Sequence, residues 1–231
     1  MSSAADTLRR RILPRALVAL SRVNRPARLA ARARRGLGRD GRVELFFAFE
    51  DPCSAVAALD LEERLARRSV TLVLRPVVRR GIAGDPAAQD KRRYAIGDAR
   101  RLAARAGLEL TRGEPVPPKT CDFLAAWAAS APQGAALRRF CTQALRELWF
   151  TAEDEEPVSE ARFAPIWREQ FGADPPRGVA GERALRRNER RMRLHWMYET
   201  PAAWVHGQWF FAHDRPLQIA QRLDELGWSA T

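Results

Sequence analysis

Val43-Glu44-Leu45-Phe46-Phe47-Ala48-Phe49 runs directly into Glu50-Asp51-Pro52-Cys53-Ser54, and this junction decides the fold. The first segment is aromatic, β-favouring and almost continuously apolar, which suits a strand covered on both faces. The second turns the chain: Pro52 belongs at the first position of a helix, with Asp51 as its N-cap. That helix is predicted to run through Val56, Leu59, Leu61 and Leu65. Within Ser69–Val78, Val70-Thr71-Leu72-Val73-Leu74 reads as a second buried strand. Strand, helix and strand in so few residues make a βαβ unit, and hence a parallel pair.

Downstream, the spacing of Tyr94, Ile96 and Leu102 predicts a helix over Lys91–Ala106 that stops at Gly107. From about residue 115 to 195 apolar side chains recur three and four apart, among them Phe123, Trp127, Leu137, Phe140 and Trp149. This predicts an all-helical insertion, with an acidic loop at Glu153-Asp154-Glu155-Glu156-Pro157. Ala202-Ala203-Trp204-Val205 and Trp209-Phe210-Phe211 then read as a hairpin turning at Gly207. Pro216 to Leu226 is a last helix, with Asp214 as its expected cap and Gly227 at its end. Trp196, Trp204 and Trp209 are expected to pack the sheet and the insertion.

Upstream, Gly36-Leu37-Gly38-Arg39-Asp40-Gly41 is a break that separates a basic arm, residues 1–42, from a domain over 43–231. The arm holds twelve arginines against Asp6 and Asp40, a formal +10 of the chain's total of +12. It is expected to be a helical or disordered segment, dispensable for folding, with residues 1–38 able to graze an anionic membrane surface. No recognised nucleic-acid motif follows it, so no specific nucleic-acid partner is expected. Ala16-Leu17-Val18-Ala19-Leu20 is too short for a signal-peptide core and is bracketed by Arg15 and Arg22, so a cytoplasmic protein is expected.

Cys53, Cys121 and Cys141 lie far apart, without a CxxC pair. Nor do they and His195, His206 and His213 show zinc spacing, so no metal site is expected.

The order βαβ, helical insertion, ββα is that of the thioredoxin fold in the DsbA-like superfamily, and two segments sharpen the resemblance. Phe47-Ala48-Phe49-Glu50-Asp51-Pro52-Cys53-Ser54 resembles the strand-to-helix motif FxFxSPYS of 2-hydroxychromene-2-carboxylate isomerases and kappa-class glutathione transferases. Trp209-Phe210-Phe211-Ala212-His213-Asp214-Arg215 is similar to their late motif, roughly FxGxDR. Lys91, Tyr94, Asp98 and Arg101 resemble the family's K…Y…D…R helix.

The resemblance implies a cleft at the helix N-terminus behind Pro52, where amide donors and the helix dipole favour a thiolate. It implies a cis-proline at Thr200-Pro201, whose preceding backbone contacts the cysteinyl part of glutathione. It further implies that Asp214, beside His213, binds the γ-glutamyl ammonium. Relatives often form homodimers.

The chain departs from the pattern at the position of the nucleophile. Redox members place a cysteine before the proline, and isomerases and transferases usually a serine; here it is Asp51, and the second redox position is Ser54. Cys53 takes the place of the family's tyrosine and is a reactive-thiol candidate at a helix start. Three roles are open to Asp51: a plain N-cap, a general base or substrate-orienting acid, or the remnant of a lost site. The expected function is a glutathione-linked, non-redox isomerase or transferase acting on a small aromatic or electrophilic compound. The alternative is a binding module that has kept the cleft and lost the nucleophile, and a disulfide oxidoreductase is disfavoured.

Overall fold

The computed structural model describes residues 25–78, 81, 84–151, 158–178 and 181–230. The predicted acidic loop at 153–157 and the first part of the basic arm lie outside the described residues.

The central strand β1 (Gly41–Phe47) pairs in parallel with β2 (Val70–Pro76) across the helix α2 (Pro52–Leu65), which completes the predicted βαβ unit. The hairpin β3 (Ala202–Val205) and β4 (Gln208–Phe211) joins the other edge of β1 antiparallel, giving the order β2-β1-β3-β4. Its turn is His206-Gly207, with φ of +41° and +98°. Positive φ at both central residues matches the twist of a tight hairpin, and glycine takes the second without strain.

β1 is buried on both faces because each face has its own cover. Val43, Leu45, Phe47 and Phe49 join the main core beneath α2, α3 (Ala88–Arg105) and α8 (Pro216–Glu225). Phe46 and Ala48 form a smaller cluster with Val77, Ala202 and Met192 of α7 (Glu182–Leu194). Between α3 and α7 the insertion is helical as predicted: α4 (Pro118–Ser130), α5 (Ala135–Arg146), a π turn at Glu147–Thr151, and α6 (Glu160–Phe171). Trp127, Phe140 and Trp167 meet at ring distances of 5.0 to 6.4 Å in its centre. Trp149, fully buried in the π turn, donates its Nε1–H to the carbonyl of Phe49 at 3.0 Å. The insertion is thereby fastened to the junction that precedes Asp51.

The described part of the basic arm is helical, one of the two forms expected of it. It is docked: α1 (Arg25–Gly36) buries Ala31 in the main core, and its Arg35 donates to the Leu226 carbonyl and lies over Trp228. Alanines on one side of α1 let an otherwise charged helix lie close to its neighbours. Two expectations need correction. Asp214 does not cap the last helix, since Arg215 occupies the N-cap without a side-chain bond. Trp196 does not pack the sheet but stands 80% exposed, whereas Trp204 and Trp209 pack against each other and His195. No helix among the described residues is long and apolar enough to cross a membrane.

Candidate functional site

Asp51 sits at the N-cap of α2 as the sequence implies, and accepts the amide of Cys53 at 3.2 Å. It does more than cap. Ser54 Oγ donates to Asp51 Oδ2 at 2.7 Å while accepting the Ala48 amide at 3.2 Å. Thr200 Oγ1 donates to the same oxygen at 2.8 Å. The carboxylate is 2% exposed, and no lysine, arginine or histidine among the described residues pairs with it. Buried carboxylates are held by counter-charges or by donors, and here donors serve. Asp51 thus ties the end of β1, the start of α2 and the segment before β3 into one network. The Thr200–Pro201 peptide bond is cis.

In front of this network lies a cleft of about 740 Å³. Asp51 and Cys53 reach it from the start of α2, Thr200 from the segment before β3, and His213 and Asp214 from the segment after β4. Lys91, Tyr94, Asp98 and Arg101 of α3 form the facing wall. Pro52 and Ser54 are buried behind it, Ser54 completely. The two motifs, 150 or more positions apart in the sequence, therefore meet at one cavity.

The charges around the cleft are arranged in pairs. His213 Nε2 lies 3.4 Å from Asp214 Oδ2, with the His213 ring mostly buried and the Asp214 carboxylate 62% exposed. His213 Nδ1 is buried and has no hydrogen-bond partner among the described residues. On the opposite wall Lys91 pairs with Asp85, and Arg101 with Asp98 at 3.1 Å. Both pairs are exposed enough to be exchanged for ligand contacts at small cost. Cys53, 8% exposed, directs Sγ toward the Ala95 carbonyl at 3.9 Å. None of the three cysteines is in a disulfide, and burial pushes the Cys141 thiol far above its ordinary value. Among the described residues no three His, Cys, Asp or Glu side chains cluster as metal ligands.

Sequence reasoning missed the bond from Thr200 to Asp51. Its signal was present in residue type alone: a threonine before the candidate cis-proline carries a hydroxyl that can reach a carboxylate.

No protein-family model matches the sequence, and no curated protein matches it. Solved structures do. A 2-hydroxychromene-2-carboxylate isomerase aligns with a TM-score of 0.61 over 80% of this chain and 95% of its own, at 15% identity. A probable DsbA oxidoreductase from Streptomyces coelicolor aligns with a TM-score of 0.57 over 80% and 91%, at 16% identity. At such identities the likeness shows the fold alone, and the fold is the DsbA-like thioredoxin fold with a helical insertion.

Proposed function

Taking that fold as premise, we propose that the cleft binds glutathione and serves a non-redox isomerase or transferase reaction on a small aromatic or electrophilic compound. The observation that carries the reading is the convergence of Asp214, His213 and Thr200 on one cavity at the start of α2. Asp214 offers an exposed carboxylate for the γ-glutamyl ammonium. Backbone groups beside Pro201 suit the cysteinyl unit, and Lys91 and Arg101 suit the ligand's carboxylates. His213 lines the same cavity, and its imidazole beside Asp214 is the group we assign to exchange a proton with a bound compound. When bound, glutathione would supply the thiol that adds to an electrophilic carbon and later leaves.

The fit is good for binding and poor for activating a thiolate. Asp51 cannot donate a hydrogen bond to sulfur as a carboxylate, and its charge opposes a nearby thiolate by ~1 kcal/mol or more. Its three donors and its burial favour a second reading, a binding module in which Asp51 is a structural post. The same proposal extends to a cytoplasmic protein, a homodimer, and a contact of residues 1–38 with an anionic membrane surface.

Calorimetry separates the two readings. Weak but specific heat with glutathione is expected, lost in Asp214→Ala and strengthened in Asp51→Ser. Absence of heat in both the parent protein and Asp51→Ser would select the binding module. Independently, the protein is expected to leave insulin disulfides unreduced, because exchange needs an attacking and a resolving thiol and the two positions hold Asp51 and Ser54. Reduction at thioredoxin-like rates that vanishes in Cys53→Ala would overturn the non-redox assignment.

A further inference from the structure

α7 ends in a way that local energetics disfavour. Met197 N–H returns to the Met192 carbonyl at 3.1 Å and Trp196 N–H to the Arg193 carbonyl at 3.0 Å, the paired bonds of a Schellman ending. The residue in the left-handed position of such an ending is usually glycine. Here it is Trp196, at φ +59°. A bulky side chain is strained there, and this one regains little by burial. It is 80% exposed and touches Tyr198 edge-on at 6.5 Å between ring centres. Leu194, 67% exposed, and Tyr198, 39% exposed, extend the apolar surface on either side.

The helix leading to this apolar end is cationic on its outer side. Arg183, Arg187 and Arg190 are exposed on one face, and none pairs with a carboxylate among the described residues. Of the two acids on α7, Glu182 pairs with Arg186 and Glu189 is turned inward, accepting the Val78 amide at 3.3 Å. Left-handed backbone at non-glycine residues costs free energy and clusters at binding and switch sites.

We propose that the outer face of α7 and the turn Leu194–Tyr198 form a docking surface for an anionic phospholipid bilayer. The arginines meet lipid phosphates, while Trp196 and Leu194 enter the headgroup boundary. Charge complementarity supports this occupant, and the leucine favours it over single-stranded nucleic acid. Stacking on bases would use Trp196 and Tyr198 and leave Leu194 in water, whereas entry at the headgroup and acyl boundary covers the leucine as well. The inference stands apart from the glutathione reading and from the basic segment 1–38, since it concerns different residues.

The test is sedimentation of the full chain with vesicles of phosphatidylcholine alone and of phosphatidylcholine mixed with phosphatidylglycerol. Binding to the mixed vesicles only is expected, weakening as salt rises. Trp196→Gly should lower the partition coefficient about tenfold, as expected for removing one large apolar side chain from the interface. Its thermal midpoint should hold or rise, because glycine relieves the left-handed position. Arg187→Glu/Arg190→Glu should weaken binding likewise. Unchanged vesicle binding in Trp196→Gly, or binding lost only in Arg28→Glu/Arg32→Glu, would overturn the proposal. So would absence of vesicle binding together with a single-stranded oligonucleotide complex that Trp196→Gly weakens, which would assign the face to nucleic acid.

Discussion

Asp51→Ala is expected to destabilise the folded chain by about 3 kcal/mol, a large effect for one side chain at the wall of a cleft. The carboxylate holds three donors, from Cys53 N, Ser54 Oγ and Thr200 Oγ1, and both hydroxyl residues are buried. Losing an N-cap costs about 1 kcal/mol, and each buried donor left without an acceptor costs roughly 1–3 kcal/mol. Ser54 keeps its bond from the Ala48 amide, so the sum is held below the simple total. Denaturant unfolding measures the difference, and Asp51→Asn, which retains one acceptor oxygen, should recover part of it. A midpoint unmoved by Asp51→Ala would show that Ser54 and Thr200 find other partners and that the network is not the post described above.

Glu44→Ala on the other face of the sheet is expected to cost about 3 kcal/mol as well. Glu44 is 5% exposed, takes both arms of Arg191 at 2.8 and 3.0 Å, and also meets Arg75 at 3.0 Å and Arg42 at 3.5 Å. Removing the one carboxylate leaves three arginines crowded together. Breaking a buried pair costs ~3–5 kcal/mol, and the partial exposure of Arg42 and Arg191 places this case at the low end. The same cluster makes stability depend on pH. Burial alone would raise the Glu44 pKa, but the Arg191 hydrogen bonds and the charges of Arg191, Arg42 and Arg75 outweigh it and hold it below its ordinary 4.5. A carboxyl with a depressed folded value contributes fully above its unfolded value, and that contribution is lost as pH falls through the folded one. The stability gap between the parent and Glu44→Gln should therefore be widest near neutrality and close below pH 4.5. A gap that persists unchanged into acid would mean the arginines are held by something other than the Glu44 charge.

The fold was legible in the sequence wherever a local rule and the tertiary structure agree. Asp51-Pro52 announced a helix start, Gly107 its counterpart at the end of α3, and the aromatic run of β1 a strand without a solvent face. The cleft was legible only through resemblance, because its two halves are brought together by β1 pairing with β3, which no local pattern encodes. Errors arose where two roles compete for one residue type. Asp214 stands two residues before Pro216, near enough to suggest a cap, yet Arg215 holds that position and leaves the carboxylate turned to the cleft. Trp196 belongs to a class that usually packs, so its exposure could not be read from composition. The glycine breaks at Gly36 and Gly38 were real, but a break in helical pattern is not a break in packing: alanines at 27 and 31 carry α1 onto the core.

The strand order β2-β1-β3-β4 has a consequence during synthesis. On the ribosome β1, α2 and β2 emerge together, but the edge of β1 that carries Phe46 faces a partner, Ala202, that is made much later. At ~5–20 residues per second the delay is on the order of 10–30 s. Throughout that interval the central strand has one row of backbone donors and acceptors without its native neighbour. Unpaired strand edges of this kind are where nascent chains meet one another or a chaperone. The helical insertion is translated in between, so Trp149, which in the folded chain donates to the Phe49 carbonyl just beyond that strand, is synthesised before β3.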